Sequence, residues 1–267
     1  MEKYDVVRTT LVIPDAHVSP NQDLTRFKKL GKLIVDRKPD RIVSLGDFLT
    51  LESLSAWDLN KQGTMEGRRY QADIESGRNA ITLMFSPLFE FQEKLKRNKE
   101  KLYKPHKVFV KGNHSNRLDR YLETKPELKS HLSIEKDLQL KELGFDQIVE
   151  YKDYVEFDGV LFTHVPMNAA AQPISGKYAI HRAAEMTHKS LVYGHSHCKA
   201  SVNFFRHGAE NITQILNAGA FFEHTDDYIY GGLNSYWRGL LLLKHWAEGR
   251  FDVEEISLER LHEMYKE

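Results

Sequence analysis

Polar side chains follow five short apolar runs of this sequence, and their types are those that bind metal ions. The runs end, in chain order, in Asp15 and His17, Asp47, Asn113 and His114, His164, and His195 and His197. Carboxylate and amide oxygens together with imidazole nitrogens suit borderline divalent ions such as Mn, Fe, Zn or Ni. In open α/β sheets, ligands bind beyond the carboxyl ends of the strands. We therefore expect these polar clusters to converge on one crevice.

The spacing within the clusters supports a shared site. Asp15 and His17 are separated by one residue, so both side chains can face the same side of an extended segment, and His195 and His197 repeat this spacing. Glycines stand directly before or near the polar residues, where a missing Cβ lets the backbone turn sharply close to an ion. These glycines are Gly46, Gly112 and Gly194.

Each cluster taken alone has an ordinary structural explanation. Gly-Asp is a common turn dipeptide, Asp-Ala-His after a strand can serve as a cap or turn, and a lone His164 is more often a core histidine. Paired histidines around one residue, as in Gly194-His195-Ser196-His197, rarely arise from packing. All five clusters in this order favour chemistry over five unrelated turns.

The elements that position these residues alternate between strands and helices in the first half of the chain. Apolar runs predict three buried strands, TTLVIPDAH from Thr9, RIVSLGD from Arg41 and KVFV from Lys107. Between the first two, apolar residues recur at helical spacing from Leu24 to Ile34, and this order predicts a βαβ unit with parallel strands. Mainly helical segments are predicted at 51 to about 104, broken near Gly63 and Gly67, and at 116 to about 143, broken at Pro126.

The second half is richer in hairpins. Residues 148–165 alternate in polarity and contain Asp158-Gly159, a hairpin turn signal. A helix is predicted over KYAIHRAAEMTHK, and a second hairpin is predicted to turn near His207-Gly208. Because there is no repeat or linker, residues 1–267 are interpreted as one domain, with mixed sheets, helices outside and a mainly helical insertion at about 51–104.

Composition excludes several classes of function. Among the 267 residues, 38 Lys and Arg balance 38 Asp and Glu, so there is no global charge bias toward nucleic acid or membrane. No apolar run approaches the roughly 18 residues of a membrane helix. Cys198 is the only cysteine and the N-terminus lacks an apolar secretory core, which together predict a cytoplasmic protein.

The five blocks resemble the sequence pattern of the calcineurin-like metallophosphoesterase superfamily. That pattern runs D-x-H, G-D, G-N-H, H and G-H-x-H, and the later NAGA at Asn217–Ala220 resembles the family's Asn-x-Gly turn. GNHSNRL with a helical segment after it resembles phage-encoded members. The resemblance implies an α/β fold, a four-layer αββα sandwich of two mixed β-sheets flanked by helices, with a dinuclear metal centre.

The resemblance also implies a role for each residue. Asp15, His17 and His197 would hold one ion, Asn113, His164 and His195 the other, and Asp47 would bridge them. The two divalent ions would be Mn, Fe, Zn or Ni, with Mn²⁺ supporting activity in vitro, and a bridging hydroxide would attack the phosphate in line. His114 would be the catalytic residue that protonates the leaving oxygen, a task that suits histidine near pH 7.

Two departures from the family pattern leave the substrate open. Many members have an acid three residues after Gly-Asp, where this chain has Thr50, and an acid after Gly-Asn-His, where it has Ser115. Ser115 or Asn116 is expected to cap the following helix, whose N-terminus would face an anionic substrate. Asn116 and Arg117 are candidate substrate-binding residues, and Arg117 either binds phosphate or pairs with a surface carboxylate, Asp119 or Glu123.

Other reactive residue types are expected to be structural. Arg68, Arg69 and Tyr70 could meet a nucleotide, but a solvated helix face is the better interpretation. Cys198 is expected to be a small buried residue. Surface or structural roles are expected for the remaining histidines, which are His106, His131, His181, His188, His207, His224, His245 and His262.

The predicted function is hydrolysis of a phosphate ester, with a phosphodiester or nucleotide, including a nucleic-acid end, slightly preferred as substrate. A phosphomonoesterase or protein phosphatase is the nearest alternative. A DNA nuclease is less favoured because the charge balance indicates no long phosphate-binding surface. The other class is a non-catalytic metal-binding scaffold, which would be expected to lose ligands, whereas this chain keeps the full set. No membrane partner is expected, and the oligomeric state is left open.

Overall fold

The computed structural model describes residues 8–58, 60–176, 178–205, 212–223 and 236–266. Within these residues the chain forms eleven strands and seven α-helices. The strands are β1 Arg8–Ile13, β2 Arg41–Ser44, β3 His106–Val110, β4 Gln147–Val149, β5 Val155–Phe157, β6 Val160–Thr163, β7 Ser190–Tyr193, β8 Lys199–Phe205, β9 Ile212–Ala218, β10 Gly239–Ala247 and β11 Arg250–Ser257. The helices are α1 Thr25–Arg37, α2 Gln62–Met65, α3 Tyr70–Arg97, α4 Asn116–Thr124, α5 Ile134–Asp137, α6 Ala179–Met186 and α7 Leu258–Met264.

The strands form two mixed sheets. The first has the order β11-β10-β1-β2-β3-β4, in which β1 to β4 are parallel and the β10–β11 hairpin adds antiparallel strands beside β1. The second has the order β5-β6-β7-β9-β8, in which β6, β7 and β9 are parallel and both edge strands are antiparallel. The parallel βαβ opening and the hairpins of the second half are confirmed.

Alternation along the strands builds three apolar layers. In β1, Leu11 and Ile13 pack with Phe27 of α1 and with α3, whereas Val12 between them packs against the second sheet. On the far side of the second sheet, Leu191 packs with Ala183 of α6. Helices, sheet, sheet and helix therefore lie in four layers, and the expected αββα sandwich is confirmed.

The predicted helical segments are confirmed with corrected boundaries. The long α3 fills most of the segment after β2, and the chain breaks before it at Gly67, whose φ is +77°. The break expected near Gly63 is wrong, because Gly63 lies inside α2. Between β3 and β4, helical structure is limited to α4, a 3₁₀ turn at Pro126–Leu128 and α5. The single-domain grouping of residues 1–267 stays a prediction.

Turns are found where the described residues include them. Asp158 and Gly159 both have positive φ, +50° and +74°, which is the geometry of a two-residue hairpin between β5 and β6. Strands β8 and β9 pair as the predicted second hairpin, but its turn near His207-Gly208 lies outside the described residues. Among the described helices, none combines the length and the apolar character needed to cross a bilayer.

Candidate metal centre

The five predicted clusters meet at one edge of the sandwich, between the two sheets. Three follow β1, β2 and β3 of the first sheet, and two follow β6 and β7 of the second. Hydrogen bonds join the sheets here, since the amide of His195 donates to both carboxylate oxygens of Asp15, each at 3.1 Å. The Nδ1 of His164 lies 3.1 Å from the carbonyl oxygen of Leu45. The predicted convergence on one crevice is therefore observed.

The first group of ligating atoms comes from Asp15, His17 and His197. The Nε2 atoms of His17 and His197 lie 3.0 Å apart, and His197 Nε2 lies 3.3 Å from Asp15 Oδ2. His17 Nε2 lies 4.0 Å from the same oxygen. With metal–ligand bonds of about 2.1 Å, neighbouring ligand atoms lie about 3.0–3.4 Å apart, and opposite ones about 4.2 Å. These three side chains therefore fit around one cation.

The second group comes from Asp47, His164 and His195, with Asn113 between the two rings. His164 Nε2 lies 3.2 Å from Asp47 Oδ2, and the Asn113 side-chain oxygen lies 2.9 Å from both His164 Nε2 and His195 Nδ1. These separations again match neighbouring ligands of a single ion. Two oxygens and two imidazole nitrogens form a donor set suited to Mn, Fe, Zn or Ni.

Asp47 is shared between ligand groups. It belongs to the set with His164 and His195, and also to a set with His17 and His114 whose ligating atoms all lie within 4.8 Å of one another. One carboxylate placed between the two groups has the geometry of a bridging ligand.

His114 is oriented by main-chain groups. Its amide donates to Asp47 Oδ1 at 2.8 Å, and its Nδ1 lies 2.8 Å from the carbonyl oxygen of Thr50. A proton on Nδ1 would be donated to that carbonyl, which leaves Nε2 facing Asp47 Oδ2 at 3.9 Å. Thr50, the position that departs from the family pattern, therefore acts here through its backbone and not through its side chain.

The three glycines leave room for site side chains. A Cβ at Gly112 would lie 2.0 Å from Asp47 Oδ1, one at Gly194 would lie 2.3 Å from Asp15 Oδ1, and one at Gly46 would lie 2.4 Å from His164 Nδ1. No real Cβ approaches so closely, so any larger residue would displace a carboxylate or an imidazole. The predicted close approach of these backbones to the centre is confirmed.

Four of the ligating residues have left-handed backbones although none is glycine. The φ angles are +44° for His17, +42° for Asp47, +72° for His195 and +59° for His197. Each such residue costs about 1–2 kcal/mol relative to an ordinary conformation. Strain of this kind persists where the surroundings enforce it, and it concentrates at functional sites.

The carboxylates of the centre are held in their charged form. Burial raises the pKa of Asp15 and Asp47, but the attraction of His164 together with the other nearby histidines outweighs it, and both pKa values fall below the ordinary range. Burial alone would lower the pKa of His164, yet Asp47 and Asp15 raise it to about 9. A cation bound beside His164 therefore has to displace a proton from this ring.

Burial shifts three further rings toward their neutral form. Burial, helped by repulsion from His114, lowers the pKa of His17 to about 3. Burial also lowers the pKa of His195 and of His114. Neutral imidazoles present lone pairs to a cation without first losing a proton.

The loop that carries Asp15 is fixed by a buried arginine of α1. Arg26 donates from Nε to the carbonyl of Phe221 at 3.1 Å and from a terminal nitrogen to that of Ala16 at 3.2 Å. The amide of Phe221 in turn donates to the carbonyl of Asp15 at 2.7 Å. This network ties the first ligand group to the segment after β9. Near the end of β9 itself, Asn217 donates to the Ser196 hydroxyl between the two histidines of the β7 exit.

Arg117 lies beside the centre and not in a surface ion pair. One terminal nitrogen donates to the carbonyls of Thr50 and Leu51 at 3.0 and 3.3 Å, and the other lies 3.4 Å from His114 Nε2. The alternative in which Arg117 pairs with Asp119 or Glu123 is therefore not what the structure shows.

The predicted helix cap is wrong. Ser115 occupies the N-cap of α4, but its own backbone is helical and its side chain forms no capping hydrogen bond. It is buried, so packing and not capping sets its position. Asn116 is half-buried in the first turn, on the helix that leads away from His114.

Three aromatic residues near the centre were not predicted. The ring centroid of Tyr151 lies 6.4 Å from that of His164, and Tyr151 follows the short β4 as the ligands follow their own strands. On the opposite side, the Phe222 ring lies 5.3 Å from His17 and 5.0 Å from His197, and Tyr236 lies 4.8 Å from His197. The one sequence feature that could have indicated Tyr151 is its position directly after a short strand.

The residues expected to be structural mostly are. Arg68 forms ion pairs with Asp58 and Glu52, and the Tyr70 hydroxyl donates to Asp137. His245 is buried against the Thr10 hydroxyl, away from the centre.

Three of the remaining positions need a separate statement. Cys198 is partly exposed, so the expectation that it is buried is wrong. His207 and His224 lie outside the described residues.

No protein-family model and no curated protein matches this chain. Among solved structures, the chain is similar to YfcE, a phosphoesterase from E. coli, with 15% identity, a TM-score of 0.40, and coverage of 94% of this chain and 99% of that one. It is also similar to wild-type Vps29 from Entamoeba histolytica, complexed with Zn²⁺, with 11% identity, a TM-score of 0.36, and coverage of 94% and 99%. The observed sandwich and the convergence of the motif residues agree with the resemblance to calcineurin-like metallophosphoesterases.

Proposed function

We propose that this chain is a metal-dependent phosphoesterase whose centre holds two divalent ions. One observation carries the proposal: seven side chains from five strand exits bring their ligating atoms together in two groups that meet at Asp47. The seven are Asp15, His17, Asp47, Asn113, His164, His195 and His197. Strained backbones at four of them support a role beyond packing.

The donor set fits two cations. Asp15, His17 and His197 would hold one, Asn113, His164 and His195 the other, and Asp47 both. Bound divalent ions would supply a nucleophile at neutral pH and neutralise the charge of the phosphate. Gly112, Gly194 and Gly46 leave the space that the side chains of Asp47, Asp15 and His164 occupy, so these side chains can keep their positions around the ions.

His114 is proposed to deliver the proton that the leaving oxygen needs. Its Nδ1 is fixed by the Thr50 carbonyl, so Nε2, which faces the centre, is the atom that would take up and deliver the proton when the ring becomes cationic. Burial lowers the pKa of the ring, but a bound anionic phosphate beside Nε2 would raise it again. Arg117, whose guanidinium borders the same nitrogen, would add positive charge next to the substrate.

A phosphodiester or nucleotide is proposed as the substrate in preference to a simple phosphomonoester. The positive charge of the half-buried Arg117 beside His114 supports a substrate larger than a bare phosphate. A phosphomonoesterase activity is the second candidate, since the same centre would cleave either ester.

The test is hydrolysis of bis(p-nitrophenyl) phosphate, p-nitrophenyl phosphate and a cyclic nucleotide by the Mn²⁺-loaded protein. We expect turnover of the diester, and we expect His114→Ala to keep its metal but to lose about 10²–10⁴-fold in kcat, the usual scale for a general acid. His188→Ala, an exposed histidine after α6, is the matched control and should be unaffected. Unchanged turnover in His114→Ala would remove its role. Two bound ions without turnover of any ester would favour the scaffold.

A further inference from the structure

One face of α4 turns toward the candidate metal centre. The helix starts two residues after His114, and Arg117 in its first turn approaches His114 Nε2 at 3.4 Å. Arg120 follows three residues later, and residues with this spacing are neighbours on a helix surface. Arg120 therefore extends the same face outward from Arg117.

The guanidinium of Arg120 is exposed and not neutralised by a carboxylate. In the part of the chain that the structure describes, no ion pair or hydrogen bond engages its side chain. Burial lowers the pKa of Arg117, Asp47 raises it, and the like charge of Arg120 lowers it. Arg117 itself donates to backbone carbonyls. Arg120 therefore adds a second positive charge on the α4 face that starts beside the centre.

Tyr151 borders the same region from the first sheet. Strands β3 and β4 pair in parallel up to Val110 and Val149, and the amide of Lys111 continues the ladder to the Val149 carbonyl. Continuing this register sets Tyr151 beside Gly112, and its ring lies 6.4 Å from His164. Among the described residues no hydrogen-bond partner holds its hydroxyl, which is free to donate.

Tyr151 and Arg120 border the centre from neighbouring elements. Tyr151 stands in register with Gly112, and Arg120 lies three residues beyond Arg117, which approaches His114. Burial and the charge of Asp47 raise the pKa of Tyr151, in agreement with a neutral phenol there. A neutral phenol and an exposed guanidinium are both hydrogen-bond donors. Phosphate oxygens are the acceptors that such a pair suits.

We propose that Arg120 and Tyr151 bind a second anionic group of the substrate, on the side of the centre formed by Asn113 and His164. This inference rests on the proposed function and narrows it to nucleotide esters that carry a second phosphate, as in a nucleoside bisphosphate or the end of an oligonucleotide. A substrate with one phosphate would leave Arg120 without an acceptor, because Arg117 and the metal ligands surround the scissile group.

The direct test is binding of thymidine 5′-phosphate and thymidine 3′,5′-bisphosphate to the Mn²⁺-loaded protein, measured by calorimetry. We expect the bisphosphate to bind about tenfold more tightly, the scale of one charge-assisted hydrogen bond. Arg120→Gln should remove that advantage and leave the monophosphate affinity unchanged, while Tyr151→Phe should remove part of it. Arg182→Gln, an exposed arginine on α6 at the other side of the sandwich, is the matched control for lost charge.

Hydrolysis separates this inference from the proposed function. The p-nitrophenyl ester of thymidine 5′-phosphate, with and without a 3′-phosphate, gives two substrates that differ by one anionic group. Loss of the 3′-phosphate preference in kcat/KM in Arg120→Gln, with the preference kept in Arg182→Gln, would support the subsite. If the bisphosphate binds no better than the monophosphate, or if Arg120→Gln keeps the preference, the subsite is refuted. A binding preference without any hydrolysis would refute the phosphoesterase and leave the subsite standing.

Discussion

Replacing Gly112 by alanine should remove Asp47 from its place between the two ligand groups. The new Cβ would lie 2.0 Å from Asp47 Oδ1 and 2.4 Å from the Asp47 backbone nitrogen. Non-bonded atoms rest about 3.5 Å apart, so the carboxylate has to retreat by about 1.5 Å. Because the backbone nitrogen is struck as well, a rotation of the side chain cannot relieve the clash.

The size of the effect follows from this displacement. A misplacement of about 1 Å at a reacting centre can cost 10²-fold in rate, and overpacking a tight interior costs about 1–3 kcal/mol in stability. Gly112→Ala should therefore lose metal affinity and at least about 10²-fold in activity. Its folded state should survive, since the substitution adds one methyl group.

The assay combines Mn²⁺ titration by calorimetry, thermal unfolding and hydrolysis of the aryl phosphodiester. Gly63→Ala is the matched control, because a Cβ there meets no atom within 4 Å and the residue lies in α2. That control should leave metal binding unchanged and be neutral or stabilising by up to about 1 kcal/mol. If Gly112→Ala bound two ions with wild-type affinity, the packing described around Asp47 would be incorrect.

Metal binding should also depend on pH, and one buried arginine should support the centre. Burial lowers the pKa of His164, but Asp47 and Asp15 outweigh burial and raise this pKa to about 9. At neutral pH a cation must therefore displace a proton from His164. Apparent Mn²⁺ affinity should therefore rise as pH increases from 6.5 to 9. Calorimetry in buffers of different ionisation enthalpy should detect the released proton. An affinity that does not change with pH would contradict the protonation of His164 in the metal-free protein. Arg26→Leu leaves the carbonyls of Ala16 and Phe221 without their buried donor. It should lower the free energy of unfolding by about 3 kcal/mol in urea denaturation, whereas a loss below 1 kcal/mol would show that the network is dispensable.

The sequence predicted which residues meet at the candidate centre because their signal is local. Each lies directly after a short apolar run, and parallel strands bring such exits to one edge whatever the intervening chain does. The same alternation predicted the two packed sheets. Strand β10, by contrast, reaches β1 from the far end of the chain, and local periodicity contains no information about that pairing.

The parts that sequence reasoning missed are those made by the main chain or by distant contacts. The carbonyl of Thr50 orients His114, but a carbonyl is present at every position and leaves no mark in the sequence. The same carbonyl accepts a hydrogen bond from Arg117. The sequence therefore could not decide whether Arg117 faces a substrate phosphate or pairs with a surface carboxylate. Ser115 has a capping residue type but is buried, and packing decided its conformation.

The measurement that bears most directly on the centre is anomalous diffraction from crystals grown with Mn²⁺. We expect two peaks about 3.5–4 Å apart on either side of the Asp47 carboxylate, one beside His17 and His197 and the other beside His164 and His195. A single peak, peaks elsewhere on the chain, or no peak at a Mn²⁺ concentration that saturates turnover would contradict the dinuclear centre.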